Sequence, residues 1–477
     1  MHALVWTFAL LGAAEKGTLP EVSVKHSSAS EAEARALAAE VLISKTENQA
    51  IQSLQSILKK KKGSPDEPQL WFRLAELYLR RAKTGRFFDL HRDSEKAASF
   101  VPQEIRELGA RKYLQQGIDI YHRIEKQFPG FTAMDEVLFN NAFAHQSLNR
   151  NREAETLYSL LVQRFPGSLL IPDSRLALGE IAFEAQRFEV ALEHFKAIEK
   201  YPESRVFPYG LYKSAWTLYN QRKNSEAIEK LISVVKLHDP RKPTQEGARL
   251  NYNLRSEALR DLGIFFADLH PANKAVEFFA GLTTTEELGE TLLLLGKLYN
   301  SHSRFKEVIT FLSNFISEYP LHPAHVKTRL LLIEAHESLR QRPDVLEQLR
   351  LLDEICSPSS KFRKANALLV NESCDLEVRT STLEMARKWW EIWLKNKNHQ
   401  EFAQLTRGVF EIYLRRDPPQ SPDTRARNAF AELLFQLQDY RRASAQYEIV
   451  RQFSHDSQLQ HDSAYSALVS LEKAMEI

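Results

Sequence analysis

One HxxH pair among 15 histidines, two cysteines and a scatter of carboxylates are the features of this chain whose types and spacing could do chemistry. His322 and His325 form an HxxH pair, but it flanks Pro323 in a turn and has no third ligand, so no metal site is expected. Cys356 and Cys374 make no CxxC pair and have no metal-type spacing. Either they bridge in an oxidising compartment or they lie buried as two free thiols. The carboxylates are spread along the chain as solvated faces. No phosphate loop, dinucleotide fingerprint or nucleophile elbow is present. These residues name no catalytic group, no metal and no cofactor, and the expectation is that the chain is not an enzyme. The competing reading is a helical-repeat enzyme acting on glycan or peptidoglycan. It would need a deep cleft holding a carboxyl with a raised pKa.

The elements around these residues are those of a folded, helix-rich chain. Hydrophobic residues make up 43% and charged residues 26% of 477, which excludes large-scale disorder. Lys plus Arg total 64 against 62 acidic residues, and a net charge of +2 gives no basic excess for a nucleic-acid partner. Only 16 glycines favour helix over sheet. Residues 1–14 form an apolar run too short to span a bilayer. It suits the core of a secretory signal, with Gly12-Ala13-Ala14 as a small-residue cleavage site, although no Lys or Arg precedes it. Export to the periplasm is therefore expected, with a cytoplasmic chain as the alternative, and residues 15–28 read as a linker. No cysteine lies near the cleavage site to carry a lipid, and no later segment reads as a membrane span.

Internal self-similarity is the strongest signal. Small residues recur in pairs 12 apart: Ala38/Ala50, Ala142/Ala154, Gly179/Ala191, Ala215/Ala227, Gly263/Ala275 and Ala431/Ala443, with Gly296/Val308 keeping the spacing. A large apolar residue follows four after each second member: Leu54, Tyr158, Phe195, Leu231, Phe279, Tyr447 and Leu312. Two antiparallel helices, A and B, need small side chains where they cross, and apolar partners at i+3, i+4 and i+7 complete each face. Phe128-Pro129, Phe165-Pro166, Tyr201-Pro202 and Tyr319-Pro320 sit where helix B should stop. First small positions step by 37 from Ala142 to Gly179, 36 to Ala215 and 48 to Gly263. The excess falls in the polar, proline-containing stretch 238–245, read as a long loop.

Residues 70–78 make a clear helix A whose helix B is 113–128, centred on Gly117. The intervening 84–107 is either an ordered excursion after a longer helix A or a partner-docking loop. Leu331–Leu352 makes a further helix pair. Past 355 the pattern weakens: Leu376–Leu394 carries Trp389, Trp390 and Trp393, Phe402–Leu414 is its partner, and Ser463–Met475 reads as a capping helix. The three tryptophans are expected in the core, with Trp389 and Trp393 on one face. The organisation expected is a solenoid over 29–354 and divergent helical repeats over 355–477, about nine to ten helix pairs in all.

These residues resemble the tetratricopeptide repeat (TPR) family over most of 31–475. Leu295-Gly296-x-x-Tyr299, Ala191-x-x-x-Phe195 and the terminal Tyr-Pro fall on its signature positions. The resemblance implies an all-α, TPR-like α-solenoid wound as a right-handed superhelix, which holds other proteins. Tyr209–Asn220 followed by Ser225–Glu229 is similar to exported bacterial TPR proteins, among them the barrel-assembly lipoprotein and the Tol–Pal-associated coordinator. The inserted first unit and Leu254–Leu262 resemble TPR components of deltaproteobacterial envelope and gliding-motility machines. The partners so implied are proteins of an envelope complex, held by a groove-binding adaptor or by a structural subunit with several contact surfaces.

With the first small residue numbered 8, the family's groove-facing positions are 2, 5, 9 and 12. Around Ala215 these are Tyr209, Tyr212, Trp216 and Tyr219, all aromatic. Around Ala142 they include Phe139 and Phe143, and around Gly179 Phe183. An aromatic stripe at helical spacing is more often core than binding site. Here Leu211, Ala215 and Leu218 already supply an apolar face, so the second face is covered either by the chain itself or by a partner. Arg260, Lys297 and Arg425 also fall on groove positions, where they contact acidic groups or form a solvated face.

Overall fold

The computed structural model describes residues 46–82, 108–242, 254–366, 368–395, 397 and 399–476. The apolar run 1–14, the linker 15–28, Ala38, the insertion 84–107 and residues 243–245 of the long loop lie outside the described residues. Among the described residues the regular structure is helical, and no helix is long and apolar enough to cross a membrane.

The chain divides into two compact units. The first, Met1–Leu160, holds α1 (46–60), α2 (Glu67–Arg81), α3 (Leu108–Gln127), α4 (Met134–Ser147) and most of α5 (Asn151–Arg164). In it α2 packs on α3, and Gly117 makes their crossing close: a Cβ there would lie 2.7 Å from Leu79 Cδ1. Ala142 and Ala154 are fully buried, and Phe139 meets Tyr158 edge-on at 5.5 Å.

The second unit, Leu161–Ile477, continues the pairs. They are α6 (Ile171–Glu184) with α7 (Phe188–Ile198), and α8 (Phe207–Asn220) with α9 (Asn224–Leu237). Next come α10 (Arg255–Leu269) with α11 (Ala275–Ala280), and α12 (Thr285–Ser301) with α13 (Phe305–Glu318). Then follow α14 (His325–Ser338), α15 (Arg342–Ile355), the short α16 (Lys361–Ala365), α17 (Leu368–Lys395), α18 (Gln400–Arg415), α19 (Thr424–Gln436), α20 (Tyr440–Phe453) and α21 (Ser457–Glu476).

The spacing rule has a direct physical cause. A Cβ on Gly179 would stand 2.4 Å from Phe195 Cε1, and one on Gly296 would stand 3.3 Å from Leu312 Cδ1. In these two units the large residue four after the second small one therefore lies on the first small one.

A second regularity marks the turns. Asn149, Gln186, Arg222, Ser303, Arg340 and Gln438 all have φ between 58 and 62°. Each closes a helix A with the same two bonds. Arg222 N–H donates to Tyr219 O and Lys223 N–H to Leu218 O, both at 2.9 Å, the pattern that satisfies the last carbonyls of a helix. Five of the six lie seven after a first small residue. Arg340 lies seven after Ile333, and Ile333 lies 12 before the buried Val345. Leu331–Leu352 is thus a repeat of the same kind, hidden because isoleucine holds the small position. The turn after α10 departs from the rule: His270 is extended and Pro271 starts a short 3-10 turn, leaving a brief α11.

Several contacts cross position 355 in the second unit. Cys356, at the end of α15, is disulfide-bonded to Cys374 in α17. Asp353 takes Arg416 Nε at 2.5 Å and Arg415 at 3.0 Å, and Arg416 and Arg363 both reach Asp375. One apolar cluster runs from Val326 through Trp389 and Trp393 to Ala467. Trp389 and Trp393 are buried, and Trp390 packs partly buried against Trp393 and Phe410.

Candidate functional site

Helix α8 opens with Pro208, which a first turn tolerates because its missing N–H has no helical partner. Leu211, Ser214, Ala215 and Leu218 are buried and fix one face inward. Tyr212, Trp216 and Tyr219, at i, i+4 and i+7, form the other face and are half-buried. Their polar ends point to the next helix A, α10. Tyr212 Oη donates to Asp261, Trp216 Nε1 donates to the same Asp261 oxygen at 3.0 Å, and Tyr219 Oη donates to Asp268. Phe265 stands between the two acids. The Tyr219 ring stacks on it at 4.1 Å and 3°, and Trp216 meets it edge-on at 5.1 Å.

Burial pushes the Tyr212 phenol up, and the Asp261 charge and hydrogen bond push it further. Burial and then Asp268 do the same for Tyr219. Both phenols stay neutral donors, and the three rings are held in fixed rotamers with part of each still in solvent.

The link is repeated one unit earlier. Glu180, the residue after Gly179, pairs with Lys213, two before Ala215, at 2.8 Å. Trp216, the residue after Ala215, likewise reaches Asp261, two before Gly263. Lys213 also lies 5.9 Å from the centre of the half-buried Phe183 ring. Lys213, Glu180, Asp261, Phe265 and Asp268 are the residues that reasoning from sequence missed. For Glu180, Lys213 and Asp261 the signal that could have found them is chemical complementarity between the position after one small residue and the position two before the next; Phe265 and Asp268 stand at neither position.

Two expected groove residues are corrected. Tyr209 is 1% exposed. It sits beside Gly210, where a Cβ would come 2.9 Å from Ile198 Cβ of α7, so the close approach of α7 leaves this turn no open side. Phe143 is 4% exposed, because α4 is enclosed through the whole run Asn141–Ser147. Neither can meet a partner as folded. Phe139 remains half-buried and belongs to the first unit, while the α8 row belongs to the second. Arg260 is exposed, 3.6 Å from Asp261.

The histidine pair is structural. His322 Nε2 donates to Thr285 O at 2.6 Å while its Nδ1 accepts from Ala324 N–H at 3.0 Å. His325 Nδ1 donates to Pro320 O at 2.8 Å. Burial lowers the His325 pKa to about 4, so its imidazole is neutral at ordinary pH. Among the described residues no group of three or more His, Cys, Asp or Glu could hold a metal. The carboxyls that burial raises, Glu136, Glu184 and Glu432, stand on three different helices.

Comparison with known proteins agrees with the repeat. Residues 140–205 match the family described as Tetratricopeptide repeat. No curated protein matches the chain. Among solved structures, one titled "Structure of Naa15/Naa10 bound to HypK-THB" is similar at 13% identity and a TM-score of 0.33, covering 94% of this chain and 67% of that one. The P58(IPK) TPR domain is similar at 12% identity and a TM-score of 0.24, covering 84% and 99%. An IFIT1 monomeric mutant is similar at 12% and 0.26, covering 85% and 86%. At such TM-scores none of these likenesses bears on function. The 12-residue pairing and the repeated turn define a helical-repeat chain, and residues 140–205 of it are similar to tetratricopeptide repeats.

Proposed function

We propose that this chain is a protein-interaction scaffold that takes a peptide or a partner helix against the A-helix faces of α6, α8 and α10. The observation that carries this reading is the row Tyr212, Trp216 and Tyr219, half in solvent yet held by Asp261, Phe265 and Asp268. Aromatic anchors dominate binding energy at protein interfaces. Ordering a free side chain at an interface costs about 0.5–1.5 kcal/mol. Rings already fixed avoid most of that cost.

The reading assigns the chain no reaction and no cofactor. It places the scaffold in an exported envelope complex, of assembly or motility type. Support comes from the apolar run 1–14 and from the Cys356–Cys374 bond, since structural disulfides persist in oxidising compartments. The test is Trp216→Ala with Tyr212→Ala in the full chain. Partner capture from solubilised cells should be lost while helicity by circular dichroism is unchanged. Loss of folding instead would make the row a core element.

A further inference from the structure

The first unit carries a second concave surface, remote in sequence from the α8 row. A hollow of about 710 Å³ lies where α1, α2 and α3 meet. Its walls are held: Gln55 Nε2 donates to Tyr78 Oη at 2.9 Å, and Arg81 Nε donates to Asn48 at 3.3 Å, tying α1 to α2. Leu58, Leu74 and Ile120 form an apolar floor beside the half-buried Trp71.

The charges around this floor are unequal in how far they are committed. Of the lining carboxylates, Glu67 accepts from Gly63 N–H and, at 3.2 Å, from Trp71 Nε1, and Asp119 accepts from Gln115 at 2.9 Å. The lining cations are Lys59, Lys62 and Arg123. Arg123 lies over the Trp71 ring at 4.4 Å, and among the described residues none of the three has an ion-pair partner. Glu67 also faces Lys62 and Arg123 through space, so the lining sets three cations against two carboxylates and keeps a net positive charge beside its apolar floor, which is complementary to an anion that carries apolar groups.

We infer that this hollow is a docking site for an acidic peptide segment, with leucine or phenylalanine side chains on the floor and Asp or Glu carboxylates on Lys59, Lys62 and Arg123. The inference does not depend on the α8 row. It gives the chain two separate protein-binding surfaces.

The test uses the full chain and a fluorescein-labelled peptide of about twelve residues alternating Glu with Leu and Phe, against the same peptide with Lys for Glu. Fluorescence anisotropy should show binding of the Glu peptide that weakens with added salt. Lys59→Glu with Lys62→Glu, both exposed, should raise Kd by about tenfold or more while helicity by circular dichroism is unchanged. Lys126→Glu, an exposed charge on α3 outside the hollow, should leave it within about twofold. The inference is overturned if the wild-type chain does not bind the Glu peptide, if the Lys peptide binds equally well, or if the two variants weaken binding alike.

Discussion

Replacing Asp261 by Ala removes the acceptor shared by Tyr212 Oη and Trp216 Nε1. A hydrogen bond to a charged group contributes about 1.5–3 kcal/mol when buried. The Asp261 side chain is only 8% exposed, but both rings keep part of their surface in water, which can replace some of each bond. The expected loss is therefore about 2–4 kcal/mol for the pair, and about 1–2 kcal/mol for Asp261→Asn, which keeps one acceptor oxygen. Urea unfolding followed by circular dichroism measures both, and hydrogen exchange should show the loss concentrated in α8 and α10. A pH signature accompanies it. The raised Tyr212 and Tyr219 phenols keep protons that the unfolded chain releases above the ordinary value of 10.0, so stability falls as pH rises past 10.0. Asp261→Asn removes part of the cause at Tyr212 and should make that fall shallower. A cost of Asp261→Ala below about 0.5 kcal/mol, no more than an ordinary surface change, would refute the claim that α10 fixes the rings.

Other outcomes follow from the same structure. Reducing Cys356–Cys374, or replacing both by Ser, opens a loop of sequence separation 18 and should cost about 3 kcal/mol, read as earlier unfolding of α15–α18. The exposed Arg222 and Gln186 occupy left-handed backbone at φ 62 and 58°. Arg222→Gly and Gln186→Gly should each raise stability by about 0.5–1 kcal/mol, the left-handed penalty less glycine's greater unfolded freedom, while Arg222→Ala stays near wild type. His325 is depressed from 6.5 to about 4, so its neutral form stabilises the fold above 6.5, and that contribution drains away as pH falls from 6.5 towards 4. The drop is about 3 kcal/mol, and His325→Asn, which keeps a donor for Pro320 O, should flatten it in a stability–pH series.

The repeats were legible because helix crossing imposes a steric demand at fixed spacing, as Phe195 on Gly179 and Leu312 on Gly296 show. The Ile333/Val345 unit was legible as a helix pair over Leu331–Leu352 but not as an instance of the 12-residue pairing, since its crossing tolerates a larger residue and the left-handed Arg340 reveals it. The aromatic row was visible as a period, but its surroundings were not. Asp261 lies 49 residues from Tyr212, across a loop that breaks the repeat step, so no local pattern pairs them. Burial of Tyr209 and Phe143 depends on how closely neighbouring helices approach, which residue type alone does not encode. The weakening of the pattern past 355 comes from a long α17 that packs through Val378, Thr382, Ala386, two tryptophans and a disulfide without the 12-residue pairing.

Site-specific photocrosslinking in cells tests the central claim most directly. A benzoylphenylalanine placed at Tyr219, an aromatic exchanged for an aromatic, samples what touches the α8 row, and one at the exposed Val190 on α7 samples a B-helix surface. The scaffold reading predicts a discrete protein adduct from position 219 and none of that size from position 190. No adduct at 219, or the same adducts at both, would contradict it.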